Sequence, residues 1–235
     1  MSLRVAVVTP YHAEPLEMLR QAHDSVVSQS HPCRHIMVAD GLPRPEIDGW
    51  DALHIVLDRS HGPFGCTPRF IGAQRAVADG FDLIAFLDAD NWLRADHAET
   101  LVALHAATGA DFLTCGRVLC RLDGSVMAPS CPLTDPERFV DTSCMAYARG
   151  AFPLLPHWTE LPDYAQAICD RCVLQQAIAS GVSRAHSAEQ TVFYRCGKAG
   201  IYRLLGEPVP AGVSPAPDYS SAFDRWAAEG HQPLD

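Results

Sequence analysis

Between Leu3 and Asp90 the sequence alternates short apolar runs with stretches of helical spacing, and a chain of that pattern folds as a sheet covered by helices. Leu3 to Thr9 is apolar and β-branched and meets Pro10, which reads as a buried strand entering a loop. After Pro15, Leu16, Leu19, Ala22 and Val26 recur at helical spacing. His35 to Ala39 is a second strand, closed by the turn signal Asp40-Gly41, and Leu53 to Leu57 is a third. Arg69 to Ala78 reads as a helix ended by Gly80. Leu83 to Leu87 is the most apolar strand, and Asp88-Ala89-Asp90 follows it directly.

Strands linked through helices pair in parallel. The expected fold class is therefore α/β, a mostly parallel, Rossmann-like sheet with helices on both faces and a smaller mixed region after it. Ligands of such sheets bind beyond the carboxyl ends of the strands. Pro10, Asp40, Asp58 and Asp88 stand at those ends and should share one rim. Beyond Asp111 the pattern loosens. Phe112 to Leu122 and Val126 to Ala128 form a hairpin pattern around Asp123-Gly124, Asp141 to Ala148 and Thr191 to Arg195 suggest strands, and Ile168 to Ala179 suggests a helix stopped by Gly181. Pro208, Pro210, Pro215 and Pro217 mark an extended tail, after which Phe223, Trp226 and Ala227 pattern a short docking helix. The expected organisation is one domain over 1–205, divided at 110 into two halves, with a tail over 206–235.

A formal charge of −10 argues against a nucleic-acid partner, which needs a basic stripe. No apolar run reaches the roughly 18 residues of a membrane span. The opening residues lead straight into a strand pattern rather than a signal peptide. Nine cysteines, an odd and scattered set, point to reduced thiols and a cytoplasmic protein, with peripheral membrane contact open. Cys169-Asp-Arg-Cys172 has the spacing of half a zinc site and lacks the other half. The eleven histidines form no HxH or HxxxH pair, although His12 and His61 fall on candidate ligand loops.

Phe86-Leu-Asp88-Ala-Asp90-Asn91 carries the sharpest chemistry. Two carboxylates two residues apart on a turn can share a hard cation, and oxygen ligands favour Mg²⁺ or Mn²⁺ with sites left open for phosphate. Without a cation, two such charges repel. A solvated turn whose carboxylates cap a helix beginning near Ala95 is the plainer alternative. Asp141-Thr-Ser-Cys144 is a further polar knot just before an apolar run, suited to contacting a bound ligand.

With these residues in view, the chain resembles the family-2 glycosyltransferases, inverting enzymes of GT-A fold. The resemblance rests on Val5-Ala-Val-Val-Thr9-Pro10-Tyr11, on a first helix carrying Ser25 and Gln29, and on Phe86-Leu-Asp88-Ala-Asp90. Val38-Ala-Asp40-Gly41 resembles the family's paired-aspartate turn with Ala39 in place of the first aspartate. Arg69 and Gly72 fit an Arg-Asn-x-Gly pattern in which Phe70 replaces the asparagine. Asp170 stands eleven residues before Gly181, with Cys169 where glutamate is common, and Phe193-Tyr194-Arg195 resembles a late Tyr-Arg strand without the histidine that often follows. The resemblance covers roughly 3 to 195 and is densest before 111.

It implies a nucleotide-sugar donor, a UDP-sugar by family habit, and an acceptor that is a saccharide, lipid-linked or protein. Thr9, Pro10, Tyr11 and Asp40 would cradle base and ribose, with Arg69 approaching the base. Asp88, Ala89 and Asp90 would form the turn that meets ribose and diphosphate, Asp88 and Asp90 as metal ligands. Asp170 would take the proton from the acceptor hydroxyl. Its position is open to another reading, since Asp163-x-x-Gln166 resembles a helix start and would leave Asp170 in a second turn, beside Arg171 or Lys198. An oligomer is possible. Two other functions fit parts of the pattern: a binding module that has lost catalysis, suggested by Ala39, Phe70 and Cys169, and a haloacid-dehalogenase-type phosphatase. In the latter, Asp-x-Asp ends the first strand, whereas three strands precede it here. A nucleotidyltransferase would show a Gly-rich basic loop where Thr9-Pro-Tyr-His-Ala stands.

Overall fold

All seven residues of Val5–Tyr11 (β1) are buried, as befits a strand inside the sheet with neighbours on both sides. Leu16–Val27 (α1) follows, and its buried Leu19, Ala22, His23 and Val26 form one face at helical spacing. The chain returns through Cys33–Ala39 (β2), parallel to β1 with Val5 opposite Cys33. Ala52–Val56 (β3) extends the same edge, again in parallel. Cys66–Ala78 (α2) then carries the chain back across to Leu83–Phe86 (β4), on the other side of β1. The structure is a computed structural model and describes residues 3–234.

Right-handed crossovers running in opposite directions place their helices on opposite faces. The side chains agree. Thr9 and His35 face α1, where His35 contacts His23, while Val8 and Val38 face α2 and close on Gly72. Helices on both faces and a parallel block β3-β2-β1-β4 are as expected from the alternation.

The second half completes one nine-stranded sheet. Trp92–Leu93 (β5) and His97–Thr108 (α3) lead to the long, fully buried Phe112–Cys120 (β6). Val126–Ala128 (β7) forms the expected hairpin with β6. Met145–Ala148 (β8) lies antiparallel between β4 and β6. After His157–Glu160 (α4) and Cys169–Ser180 (α5), Arg184–Arg195 (β9) runs parallel to β6 and antiparallel to β5. The order is β3-β2-β1-β4-β8-β6-β9-β5, with β7 alongside β6. Ala199–Leu204 (α6) and Ser220–Ala228 (α7) close the chain.

Three local expectations change. The stretch from Asp141 begins with a 3-10 turn, Thr142–Cys144, because the Asp141 side chain accepts a hydrogen bond from the Ser143 N–H and caps it. The helix expected near Ala95 begins at His97, after the two-residue β5 has paired with β9. Asp163 to Ile168 is a 3-10 turn rather than the opening of α5, which leaves Asp170 in the first turn of that helix. The short C-terminal helix docks as its pattern implies: Trp226 is buried and its indole N–H donates to Gln175 Oε1 on α5 at 2.7 Å. Among the described residues no helix is long and apolar enough to cross a membrane.

Gly72 is where α2 touches the sheet. A Cβ there would stand 2.4 Å from Val8 Cγ1 and 3.0 Å from Val38 Cγ2. Gly72→Ala should therefore destabilise the fold by about 1–3 kcal/mol in urea denaturation, the usual cost of overpacking. Gly49, with nothing within 4 Å of an added Cβ, should tolerate alanine within about 0.5 kcal/mol.

Candidate active site

A cleft of about 920 Å³ opens beyond the carboxyl ends of β1, β2 and β4, where a parallel sheet exposes its strand ends. Pro10, Tyr11 and His12 enter it from β1, Asp40 from β2, and Asp88-Ala89-Asp90 from β4. Asp141 and Thr142 come from the turn before β8, Cys169 and Asp170 from α5, and Tyr194 from β9. Two expected members stand elsewhere. Thr9 lies two residues short of the strand end, on the same face as Tyr11, and its hydroxyl lies 2.9 Å from His35 Nε2 in the core. Asp58 is exposed outside the cleft lining.

The Asp88–Asp90 turn is fixed through its backbone. Ser143 Oγ accepts from the Asp88 N–H and from Asn91 Nδ2, both at 3.1 Å. The Arg195 backbone N–H donates to Asn91 Oδ1 at 2.9 Å, and its Nε donates to the Asp90 carbonyl at 3.0 Å. Arg195 Nη2 reaches Gln21 Oε1 on α1 at 2.6 Å. Farther along, Ser25 Oγ accepts from the Leu93 N–H, and Gln29 bonds the Arg94 carbonyl and the Ala98 N–H. With its backbone bonds spent on these partners, the turn leaves the two carboxylates free to face the cleft.

The two carboxylates differ sharply. Asp88 Oδ1 lies 2.6 Å from Arg69 Nη2. Arg69 is buried in the first turn of α2, where the helix dipole disfavours a cation, and it lies over the Trp158 ring at 4.8 Å. Asp88 is what compensates its charge, so Arg69 is not a surface cation of its helix. No basic side chain among the described residues pairs with Asp90. Burial, then the charges of Asp88, Asp141 and Glu14, push the Asp90 carboxyl up to about 7. A desolvated carboxylate beside three others, with no cation, is the electrostatic signature of a site that a cation would complete. Among the described residues no three His, Cys, Asp or Glu side chains converge as a ready-made metal cage.

Asp141 is buried and ion-paired with the equally buried Arg117 of β6, whose guanidinium stacks 4.1 Å from the Tyr194 ring. Asp170 accepts from the Arg171 N–H at 2.8 Å, and burial followed by the charge of Asp141 raises its carboxyl to about 6. Neither the Arg171 nor the Lys198 side chain forms an ion pair with it; Arg171 stacks on Phe139 at 4.1 Å instead. Cys169, at the position where a glutamate was noted as common, shares a thiol hydrogen bond with Cys66. All nine cysteines are free, so the Cys169–Cys172 spacing marks no disulfide.

Asp40 is buried and already engaged. Its carboxylate accepts from the His61 N–H at 2.9 and 3.0 Å and from Ser60 Oγ at 3.1 Å, while His12 Nδ1 approaches its carbonyl at 2.6 Å. His12 and His61 thus shape one wall. The Tyr11 hydroxyl is held by His54 Nε2 at 2.7 Å and by the Arg44 N–H. Sequence reasoning assigned no role to Arg117 or Tyr219, and singled out Ser143 only as part of the polar knot from Asp141 to Cys144. The readable signal for Arg117 was a lone charge inside an otherwise apolar run, Leu113 to Cys120.

Comparison with known proteins agrees with this arrangement. The family model described as Glycosyl transferase family 2 matches residues 6–142. No curated protein sequence matches the chain. Among solved structures, S. aureus TarS 1-349 in complex with UDP-GlcNAc superposes with a TM-score of 0.64 at 11% identity, covering 97% of this chain and 66% of that one. S. aureus TarS 1-349 in complex with UDP gives 0.60 at 12% identity, covering 82% and 60%. The chain thus spans less than two thirds of those TarS chains. These likenesses establish the GT-A fold, and the match over more than half of its length makes this chain a member of glycosyl transferase family 2.

Proposed function

We propose that the protein is an inverting, metal-dependent glycosyltransferase that moves a sugar from a UDP-sugar to an acceptor hydroxyl. The observation that carries this reading is the Asp90 carboxylate, desolvated and uncompensated at the carboxyl end of β4 and facing the same cleft as Asp170. TarS has been crystallised with UDP and with UDP-GlcNAc, which supports a uridine donor here.

In this reading residues 1–110 supply the donor half and 111–205 the acceptor half, and the tail over 206–235 completes the cleft through Tyr219. Pro10, Tyr11 and Asp40 form the wall for base and ribose. Asp40 acts through the His12 and His61 loops it holds, and Arg69 acts by fixing Asp88. Asp90, with Asp88 beside it, would hold Mn²⁺ or Mg²⁺, and the acidic, oxygen-only surroundings fit either ion. Such an ion supplies neutralising charge to the departing diphosphate. Asp170 would accept the acceptor's proton as the hydroxyl oxygen attacks the anomeric carbon from the side opposite the diphosphate. Its raised carboxyl keeps it basic enough to bind a proton near neutrality and ionised above about pH 6.

The direct test is UDP release from UDP-GlcNAc by water and by candidate acceptors, with and without Mn²⁺. Slow, metal-dependent release supports an enzyme, and tight binding without release would make the protein a binding module. Cleavage of simple phosphate esters would favour a phosphatase. Asp90→Ala should abolish the Mn²⁺-linked part of UDP binding in calorimetry, and undiminished metal-linked binding would remove Asp90 from the metal site. Asp170→Asn should leave UDP affinity near wild type while transfer falls by roughly 10²–10⁴-fold, the usual worth of general-base help. The wild-type rate should drop as pH falls through about 6, where Asp170 becomes protonated.

The Asp90 shift also sets a stability slope. Its folded value, about 7, lies above the ordinary 3.8, so the folded state binds a proton more tightly than the unfolded chain. Its contribution is fully present below about pH 4 and is lost as pH rises through 7. Metal-free protein should lose melting temperature between pH 5 and 8, and Asp90→Asn should flatten that decline. Equal slopes in the two proteins would show that Asp90 is not the strained carboxylate.

A further inference from the structure

Lys198 is the single lysine of the sequence, and it lines the cleft. Every other strong cation near the acidic floor is committed. Arg69 is bound to Asp88, and Arg117, behind the floor, is bound to Asp141. Arg195 is spent on the Asp90 and Leu122 carbonyls and on Gln21. Lys198 is exposed, and among the described residues its ammonium has no acidic partner. That is an unusual state in a cleft whose lining also carries Asp90 and Asp170, two carboxylates without an arginine partner.

The backbone under Lys198 is pinned. It follows Arg195 by three residues, and Arg195 itself holds the Asp90 carbonyl. Residue 198 is extended, at φ −123° and ψ 135°, and forms a parallel bridge with Ser214 of the tail. The Ala199 N–H donates to the Ser214 carbonyl at 2.9 Å, and the Ser214 N–H donates to the Gly197 carbonyl at 3.0 Å. A lysine ammonium has three donors and no acceptor, so a ligand that engages it must bring oxygen lone pairs and negative charge.

We propose that Lys198 is a phosphate-binding residue that engages a diphosphate oxygen of the donor, inside the cleft and on the β9 side of the Asp88–Asp90 turn. The inference rests on the nucleotide-sugar reading above. In transfer, the bond between the anomeric carbon and the distal phosphate oxygen breaks, and its electron pair stays on that oxygen. The acceptor oxygen forms the new bond while its proton passes to Asp170. Lys198 keeps its own protons throughout and supplies a fixed positive charge to the phosphate that gains the electron pair. Asp88 and Asp90 would hold a metal that supplies positive charge to the diphosphate, and Lys198 would add a second positive charge of its own.

The test is calorimetry with UDP and with uridine on wild type, Lys198→Met and Lys198→Arg, each in Mn²⁺ and again in EDTA. Lys198→Met should weaken UDP by about 10- to 100-fold, the worth of a charge-assisted hydrogen bond, and leave uridine unchanged. Lys198→Arg should restore most of the loss, and the loss should persist in EDTA. Equal weakening of UDP and uridine would reduce Lys198 to a structural role. Undiminished UDP binding by Lys198→Met would overturn the proposal, including the case in which the lysine serves an anionic acceptor. Wild-type protein that binds neither ligand would instead sink the nucleotide reading and this inference with it.

Discussion

Carboxylates that share a desolvated cleft repel one another, and the architecture of this protein is organised around containing that repulsion. Two of the four central ones are neutralised by buried arginines from opposite parts of the sheet: Asp88 by Arg69 of α2, and Asp141 by Arg117 of β6. Asp90 and Asp170 are left without such partners, and both are displaced toward neutrality. The division separates two jobs. Paired carboxylates hold elements together, whereas unpaired ones retain reactivity toward cations and protons. Buried pairs of this sort add little net stability, but losing one partner strands a charge. The cleft therefore depends on its arginines as much as on its aspartates.

Precision at the acidic turn comes from hydrogen bonds rather than ion pairs. Ser143 lies in a 3-10 turn that Asp141 caps, and its hydroxyl receives the Asp88 N–H and the Asn91 amide. Arg195 grips the other side of the turn and extends to α1. Ser25 and Gln29 on α1 tie down the segment that leads away from it. Residues spread over 174 positions of sequence thus fix a turn of three. The carboxylates owe their direction to secondary contacts made by elements from both halves of the chain.

The parallel half of the fold was legible because it is written in periodicity. Val5 to Tyr11 and Leu83 to Leu87 are apolar without alternation, as strands covered on both faces must be. The mixed half was only partly legible. The Asp123-Gly124 hairpin and the Gly181 stop carry local turn signals, whereas β5 has two residues and exists through its pairing with β9. At the cleft, Asp88 and Asp90 were legible as the end of an apolar strand, whereas Asp170 was singled out only by its spacing from Gly181. Thr9 was misplaced because it lies short of the strand end, where its hydroxyl meets His35 in the core. The pairing of Arg69 with Asp88, and of Arg117 with Asp141, joins residues far apart in sequence, and no local pattern encodes it.

The Pro-rich segment after α6 looks in sequence like an appendage. It nevertheless lays Ser214 against Gly197 and Ala199, carries Tyr219 to the cleft wall, and anchors itself with Trp226 against α5. It works as a clasp fastened at both ends, one on the strand that leaves the acidic turn and one on the helix that bears Asp170. A cut after Gly206 would spare every strand of the sheet and still remove Tyr219 from the cavity wall. The boundary of the working unit is thus set by where the cleft closes, well beyond the last strand.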